Sequence, residues 1–370
     1  MQRLDAKGNP IDVLGQKAGQ PEIDRFTFNA ETQRVLSQRN HSIVFARYSY
    51  EDVRLRNVES LLIKDILRPD EVVRISRVGA SFVYDTRQRC ERRLPGSAPE
   101  DEEISRASET CRYNQLDATR GQYLSADYSV ALRSLGGNTS FTRFQSTYHR
   151  YYQMHSLRNT VFAGNLTVGV ARVFHPRDRN GNGVIDDVDR LLPISERFFA
   201  GGAETLRGFA FQEAGPRLAI VPQGQFRNSQ GKLISLNPFT VPVGGDGMVV
   251  ANLEARVPIT TDLQVVPFFD GGNVYRRPSD IFGHAKPTPP TGNFLDDLNA
   301  QNLRAHWTNT VGAGIRIKTP FGGALAIDYG FLLNPPSFLI PQLDSLGNFT
   351  GTANFRVHRE QIHFRFSQTF

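Results

Sequence analysis

The chemistry in this chain of 370 residues concentrates in one run, Asp178-Arg-Asn-Gly-Asn-Gly-Val-Ile-Asp-Asp-Val-Asp189. Side-chain oxygens of Asp178, Asn180, Asn182, Asp186 and Asp189 fall at positions 1, 3, 5, 9 and 12, with Gly183 at 6 and the Val184 carbonyl at 7. That is the spacing by which an EF-hand-type loop wraps Ca²⁺, a hard cation that takes six to eight oxygens. Asp replaces the usual Glu at position 12, and only three of the side-chain ligands are charged. The expected affinity is therefore weak, adequate outside a cell where calcium is abundant. No flanking helices are evident, and the same composition also makes an ion-free Asn/Gly turn.

Other chemistries are missing from the sequence. There is no Gly-x-Ser-x-Gly elbow, His-Glu-x-x-His pair or phosphate loop, so no enzymatic activity is expected. His358 and His363 stand five apart, which is no zinc spacing, and read as rim or lumen residues. The net charge of +6 lacks the clustered, aromatic-interleaved pattern of a nucleic-acid groove. Nucleic acid is not an expected partner.

What must position these residues is a set of strands. Gly (32) and Phe (26) are plentiful while Met (3), Trp (1) and Cys (2) are rare, a mixture suited to sheets and tight turns. No window approaches the 18 apolar residues of a membrane-spanning helix, and Met1-Gln-Arg-Leu-Asp5 does not open a secretory signal peptide. Alternation is the dominant period. Over 162–174, Phe162, Gly164, Leu166, Val168 and Val170 share one face, while Ala163, Asn165, Thr167, Gly169 and Ala171 share the other. A soluble sandwich puts charge outside and bulk inside. Here the polar face is built from small residues, as expected of a strand between lipid and a wet lumen. The pattern recurs at 122–133, 248–258, 311–318, 324–330 and 355–370, and less regularly at 42–50, 76–86, 141–152 and 263–275. That makes ten strands, with an eleventh at about 25–33. Long links (51–75, 175–247, 276–307, 333–354) mostly alternate with short ones (153–160, 259–262, 319–323), the asymmetry of a transmembrane barrel. The link 134–138 is short where a long one is due, and 87–121 is long where a turn is due.

Three segments carry a family resemblance. Phe198-Phe-Ala-Gly-Gly-Ala-Glu-Thr-Leu-Arg-Gly-Phe209 resembles the Gly-Gly…(Val/Leu)-Arg-Gly-(Phe/Tyr) signature of the BamA/TamA and two-partner-secretion superfamily of outer-membrane barrels. Pro267-Phe-Phe-Asp-Gly-Gly-Asn-Val-Tyr275 is similar to its Phe-x-Asp-x-Gly-x-Val strand, and 311–330 to its closing hairpin. Asp85-Thr-Arg87 and 114–121 resemble the two halves of one periplasmic turn. Phe370 fits the aromatic carboxyl terminus of such barrels.

The resemblance implies an all-β, transmembrane antiparallel β-barrel of about sixteen strands, of which this chain would supply the last ten or eleven. Residues 1–22 are expected to be a loop or turn remnant and 23–370 the barrel, truncated at its N-terminus and without POTRA domains. The implied work is folding and inserting β-barrel proteins into the bacterial outer membrane, with the lipid bilayer, unfolded outer-membrane clients and periplasmic or lipoprotein accessory subunits as partners. The alternatives are a two-partner-secretion-type pore and a passive channel or surface-binding barrel.

Within that frame, a link as long as 175–247 needs an anchor inside the lumen. Arg207, followed by Gly208 and Phe209, is the natural one, because a confined guanidinium needs a carboxylate to grip. The resemblance points to Asp270 as the partner. Glu254, luminal by strand parity, is second. Cys90 and Cys111 bracket an insertion rich in Glu and Arg between the two half-turns. In an oxidising compartment they are expected to form a disulfide, worth roughly 3 kcal/mol for a loop of about 20 residues.

Overall fold

The computed structural model describes residues 4–5, 7–12, 16–93, 108–115, 117–179, 181, 183–185, 187–222, 226–227, 233–234, 237–283, 292–319, 323–344 and 348–368. Eleven strands form one sheet: β1 (Glu22–Ser37), β2 (Ser42–Arg56), β3 (Val72–Asp85), β4 (Gly121–Ala131), β5 (Phe141–Met154), β6 (Thr160–Val173), β7 (Gly247–Pro258), β8 (Leu263–Tyr275), β9 (Thr308–Thr319), β10 (Gly323–Leu332) and β11 (Glu360–Gln368). They lie in sequence order, each antiparallel to the next. The sheet is not closed: β1 and β11 are its two edges. No helix among the described residues is long and apolar enough to cross a membrane.

The two-residue period decides what each face presents. Phe26, Tyr128, Leu253, Phe269, Ile315, Tyr329 and Phe364 are exposed on the outer side. Charged and amide side chains project inward and pair across strands. Arg47 pairs with Glu31 at 3.0 Å, Arg25 with Glu51 at 2.8 Å and Arg316 with Asp328 at 2.6 Å. The shortest strand has 9 residues, within the length that crosses a bilayer when tilted. Apolar outside and polar inside is the arrangement of a membrane barrel wall.

The links alternate in length, with the two exceptions the sequence shows. One end of the sheet carries the short turns 155–159 and 259–262. It also carries the long β3–β4 link, which holds a hairpin pairing Gln88–Arg93 with Ser108–Tyr113. The other end carries the long links, among them 174–246 between β6 and β7. Strands extend past the windows of clean alternation: β1 is 16 residues long, and β2 runs to Arg56. The last strand is shorter than 355–370. Phe349–Arg356 pairs instead with Ser337–Leu343 inside its own link, because an alternating segment takes whichever edge lies nearest in the chain. Glu22 already belongs to β1, and the described residues before it make only the bridges Leu4↔Pro10 and Ile11↔Lys17. Phe370 lies outside the described residues.

The apolar core is not made by the wall alone. At the long-link end, Leu192, Phe198, Leu206, Phe209 and Ala214 of link 174–246 bury against Ile75, Phe141, Met248, Val250, Val274 and Leu332 of the strands. The link folds into the concave side of the sheet and supplies the bulk that small inward residues leave out.

Candidate functional site

The Arg-Gly-Phe segment sits at the centre of this inward fold. Its turn is made by the backbone of Gly202, whose N–H donates to the carbonyls of Leu206 (3.2 Å) and Phe209 (3.1 Å). Gly201 takes φ 113°, a left-handed value that an L side chain disfavours. Arg207, 2 % exposed, then reaches Asp270 of β8, which is 0 % exposed. Arg207 Nε donates to Oδ2 at 2.8 Å, Nη2 to Oδ1 at 2.6 Å, and the Arg207 backbone N–H to Oδ2 at 3.1 Å. Nη1 donates to Glu254 Oε1 of β7 at 2.7 Å. The guanidinium carbon lies 3.4 Å from the centroid of the Phe268 ring, a cation–π contact within the same site.

A buried fork on two carboxylates is the strong form of the charge-assisted bond. Burial works to lower the guanidinium pKa, and the bonds to Asp270 with the charges of Asp270 and Glu254 outweigh it, so the pKa is raised. Asn252 completes the group, its amide donating to Asp270 Oδ1 (2.8 Å) and to the Thr205 carbonyl (2.5 Å). Arg256 donates to Glu254 Oε2 at 3.1 Å. The next residue, Gly208, leaves no room for a side chain: a Cβ there would lie 3.0 Å from a Leu332 methyl and closer still to the Thr310 hydroxyl.

The structure therefore brings Arg207, Asp270 and Glu254 together, with Gly208 packed on Thr310 and Leu332 and Phe209 buried in the adjoining apolar core. Sequence reasoning missed Asn252, Phe268, Thr310, Gly330 and His363. Strand parity puts Asn252 on the luminal face beside Glu254, and His363 on the luminal face of the last strand. Parity names a face, not a partner, so neither residue could be matched to Arg207 from the sequence.

A second set of charges seats the same link at the long-link end. Arg77 of β3 pairs with Glu196 at 2.7 Å, and the Arg143 guanidinium carbon lies 4.4 Å from the Phe198 ring centroid. Arg179 donates to Asp70 at 2.9 Å, and Asp70 accepts the Ile194 N–H at 2.8 Å. Asp246, just ahead of β7, accepts the Leu192 N–H at 3.2 Å.

Burial pushes the Asp246 carboxyl up from 3.8 to about 6, against the opposing pull of Arg197 and the Leu192 N–H. A raised folded-state pKa means this group's contribution is full below pH ~4 and lost as pH rises through ~6, by roughly 3 kcal/mol. Asp246→Asn should flatten the pH dependence of link stability across that window, read as the rate of proteolytic nicking within 174–246 between pH 4 and 7. An unchanged pH profile would refute the assignment.

In the candidate calcium run, Asp178 Oδ1 accepts the Gly181 N–H and Oδ2 the Gly183 N–H, both at 2.6 Å. Gly181 and Gly183 have φ of 74° and 81°. Asp189 is buried, and its Oδ1 accepts the Arg179 N–H at 2.7 Å. Val184 is exposed. Asn180, Asn182 and Asp186 lie outside the described residues.

Cys90 and Cys111 form a disulfide across the hairpin of the β3–β4 link. The two half-turns meet there: Thr86 N–H donates to the Gln122 carbonyl (2.8 Å) and Gln88 N–H to that of Arg120 (2.9 Å). Asp117 bonds Arg89 and pairs with Lys318 of β9 at 3.2 Å. Ala118 packs with Tyr151, Val161 and Ala163. Removing the disulfide by Cys111→Ser should destabilise this end by roughly 3 kcal/mol, seen as earlier proteolysis of the hairpin on a urea gradient. Equal resistance of both proteins would count against it.

An antiparallel wall with an apolar outer face, a charged inner face and a link pinned inside by a buried arginine defines an outer-membrane-type barrel protein. The chain belongs to the Omp85 superfamily, whose domain profile matches residues 16–370. Its place is the outer membrane. It is 27 % identical over 202 residues to the outer membrane protein assembly factor BamA of Nitratidesulfovibrio vulgaris, covering 54 % of this chain and 19 % of that protein. It is 37 % identical over 108 residues to the SAM50-like protein CG7639 of Drosophila melanogaster, covering 29 % of this chain and 20 % of that protein. The chain thus spans about a fifth of the length of these relatives. BamA of Haemophilus ducreyi lacking POTRA domains 1–3 aligns over 93 % of this chain and 62 % of its own, with a TM-score of 0.46 and 14 % identity.

Proposed function

We propose that this chain is barrel wall of the machinery that folds and inserts β-barrel proteins into the outer membrane. The observation that carries the reading is the buried lock of Arg207 on Asp270 and Glu254, which fixes an inward link on the barrel wall. Similarity to a protein named an assembly factor supports it. The mechanism is templating: an edge strand offers unpaired N–H and C=O groups on which an extended client strand pairs. Clients are unfolded outer-membrane proteins, held at the bilayer, with accessory subunits on the periplasmic side. No bond chemistry is involved. Depletion of the protein in its host tests the reading. Accumulation of many unfolded outer-membrane proteins is the expected result. Loss of a single exoprotein would indicate a secretion pore instead, and altered solute uptake alone a channel.

We further propose weak Ca²⁺ binding at 178–189. The spacing of oxygens supports it, as does the curl of Asp178 onto the Gly183 N–H. Calorimetry with millimolar Ca²⁺ should show binding heat, lost in Asp178→Ala. No heat with the native chain would rule it out.

A further inference from the structure

The lock reaches farther than the two carboxylates. The Arg207 side chain is held by β7 and β8, and Gly208 sits against Thr310 of β9 and Leu332 at the end of β10. The Arg207 carbonyl carbon lies 2.7 Å from the place where a Cβ of Gly330 would be, so this peptide rests directly on the β10 backbone. The carbonyl oxygen then meets His363 Nε2 of β11 at 3.0 Å. Two adjacent residues of one link therefore bridge five consecutive strands, and the last of the five is an edge of the sheet.

β11 has a single strand neighbour, β10, paired from Gly323↔Gln368 to Phe331↔Glu360. Its outward side chains Ile362, Phe364 and Phe366 are exposed on the apolar side, Phe364 at 72 %. Inward, His363 lies opposite Asp328, which Arg316 already holds through both carboxylate oxygens. A carbonyl oxygen only accepts, so Nε2 carries the hydrogen and donates.

We propose that His363 is a positioning residue that couples seating of the Arg-Gly-Phe link to the order of the terminal strand β11. When the link is seated, β11 is held in register against β10. When the link lifts, β11 loses that tether, and its pairing can be exchanged for that of an incoming extended peptide strand. The coupling stands on geometry alone, while its use in strand exchange rests on the insertion reading above.

The test is hydrogen exchange followed by mass spectrometry on the full chain folded in detergent micelles, comparing wild type, His363→Leu and His363→Gln. His363→Leu removes the donor and should speed exchange across 360–368 by about fivefold, the worth of one ordinary hydrogen bond. Exchange in β7 and β8 should not change. His363→Gln keeps an N–H at similar reach and should restore protection. A leucine variant with unchanged β11 protection, or one that loosens all strands equally, would overturn the proposal. So would a glutamine variant as loose as leucine. A failed depletion experiment would remove the insertion reading and leave this coupling standing.

Discussion

Arg207→Ala should cost about 3–5 kcal/mol, because it strands a charge. Asp270 is 0 % exposed and receives three of its hydrogen bonds from Arg207. The backbone bond and Asn252 cannot neutralise a buried carboxylate. The expected outcome on a heat-modifiability gel is loss of the folded, faster-migrating band. Arg207→Lys should rescue only part of it, since an ammonium supplies a point charge and not a fork across Asp270 and Glu254. A full-length protein carrying Arg207→Ala should also fail to support growth in a complementation assay. Wild-type folding and growth of the alanine variant would sink the idea that this arginine is structural.

The second large effect comes from one methyl group. Gly330→Ala places a Cβ 2.7 Å from the Arg207 carbonyl carbon and 3.2 Å from the Gly208 nitrogen. These are backbone atoms, which cannot rotate away as the tip of a side chain would. Overpacking of this kind costs about 1–3 kcal/mol, and the link must lift for the methyl to fit. Gly164→Ala is the control. Its Cβ would meet only a Leu253 methyl, at 3.5 Å, an ordinary contact. In urea titrations the Gly330 variant should unfold well below wild type and the Gly164 variant close to it. Equal midpoints for the two variants would show that close packing on β10 is unimportant.

How much of this was legible in the sequence depended on whether a residue obeyed a period. Small inward residues such as Asn165 and Gly169, against outward Leu166 and Val168, gave the wall strand by strand. Eleven strands in sequence order are what the main sheet contains among the described residues. Strand ends were less legible, because at Arg54 and Arg56 the outer surface stops meeting lipid and alternation stops mattering. The core at the long-link end was invisible. Leu192, Phe198, Leu206 and Phe209 are buried, but they come from an irregular segment with no period to read. Residues 355–356 misled for the opposite reason: they continue the alternation of the last strand, yet they end a hairpin that pairs locally within the link. In the lock, a carboxylate partner for Arg207 could be named from the family resemblance, while Asn252 and His363 depend on register across strands far apart in sequence.

The spacing of the lock along the chain also sets an order of assembly. Arg207 must wait for Glu254, Asp270 and finally His363, which are 47, 63 and 156 residues downstream. Contacts of such high sequence separation form late, after the loops between them have closed. Strand hairpins such as β7–β8 and β9–β10 close over a few residues and need no help from the link. Docking of the Arg-Gly-Phe segment therefore requires β7 to β11 in this register: a slip by one residue would turn Asp270 or His363 to the lipid side and leave the arginine without its seat.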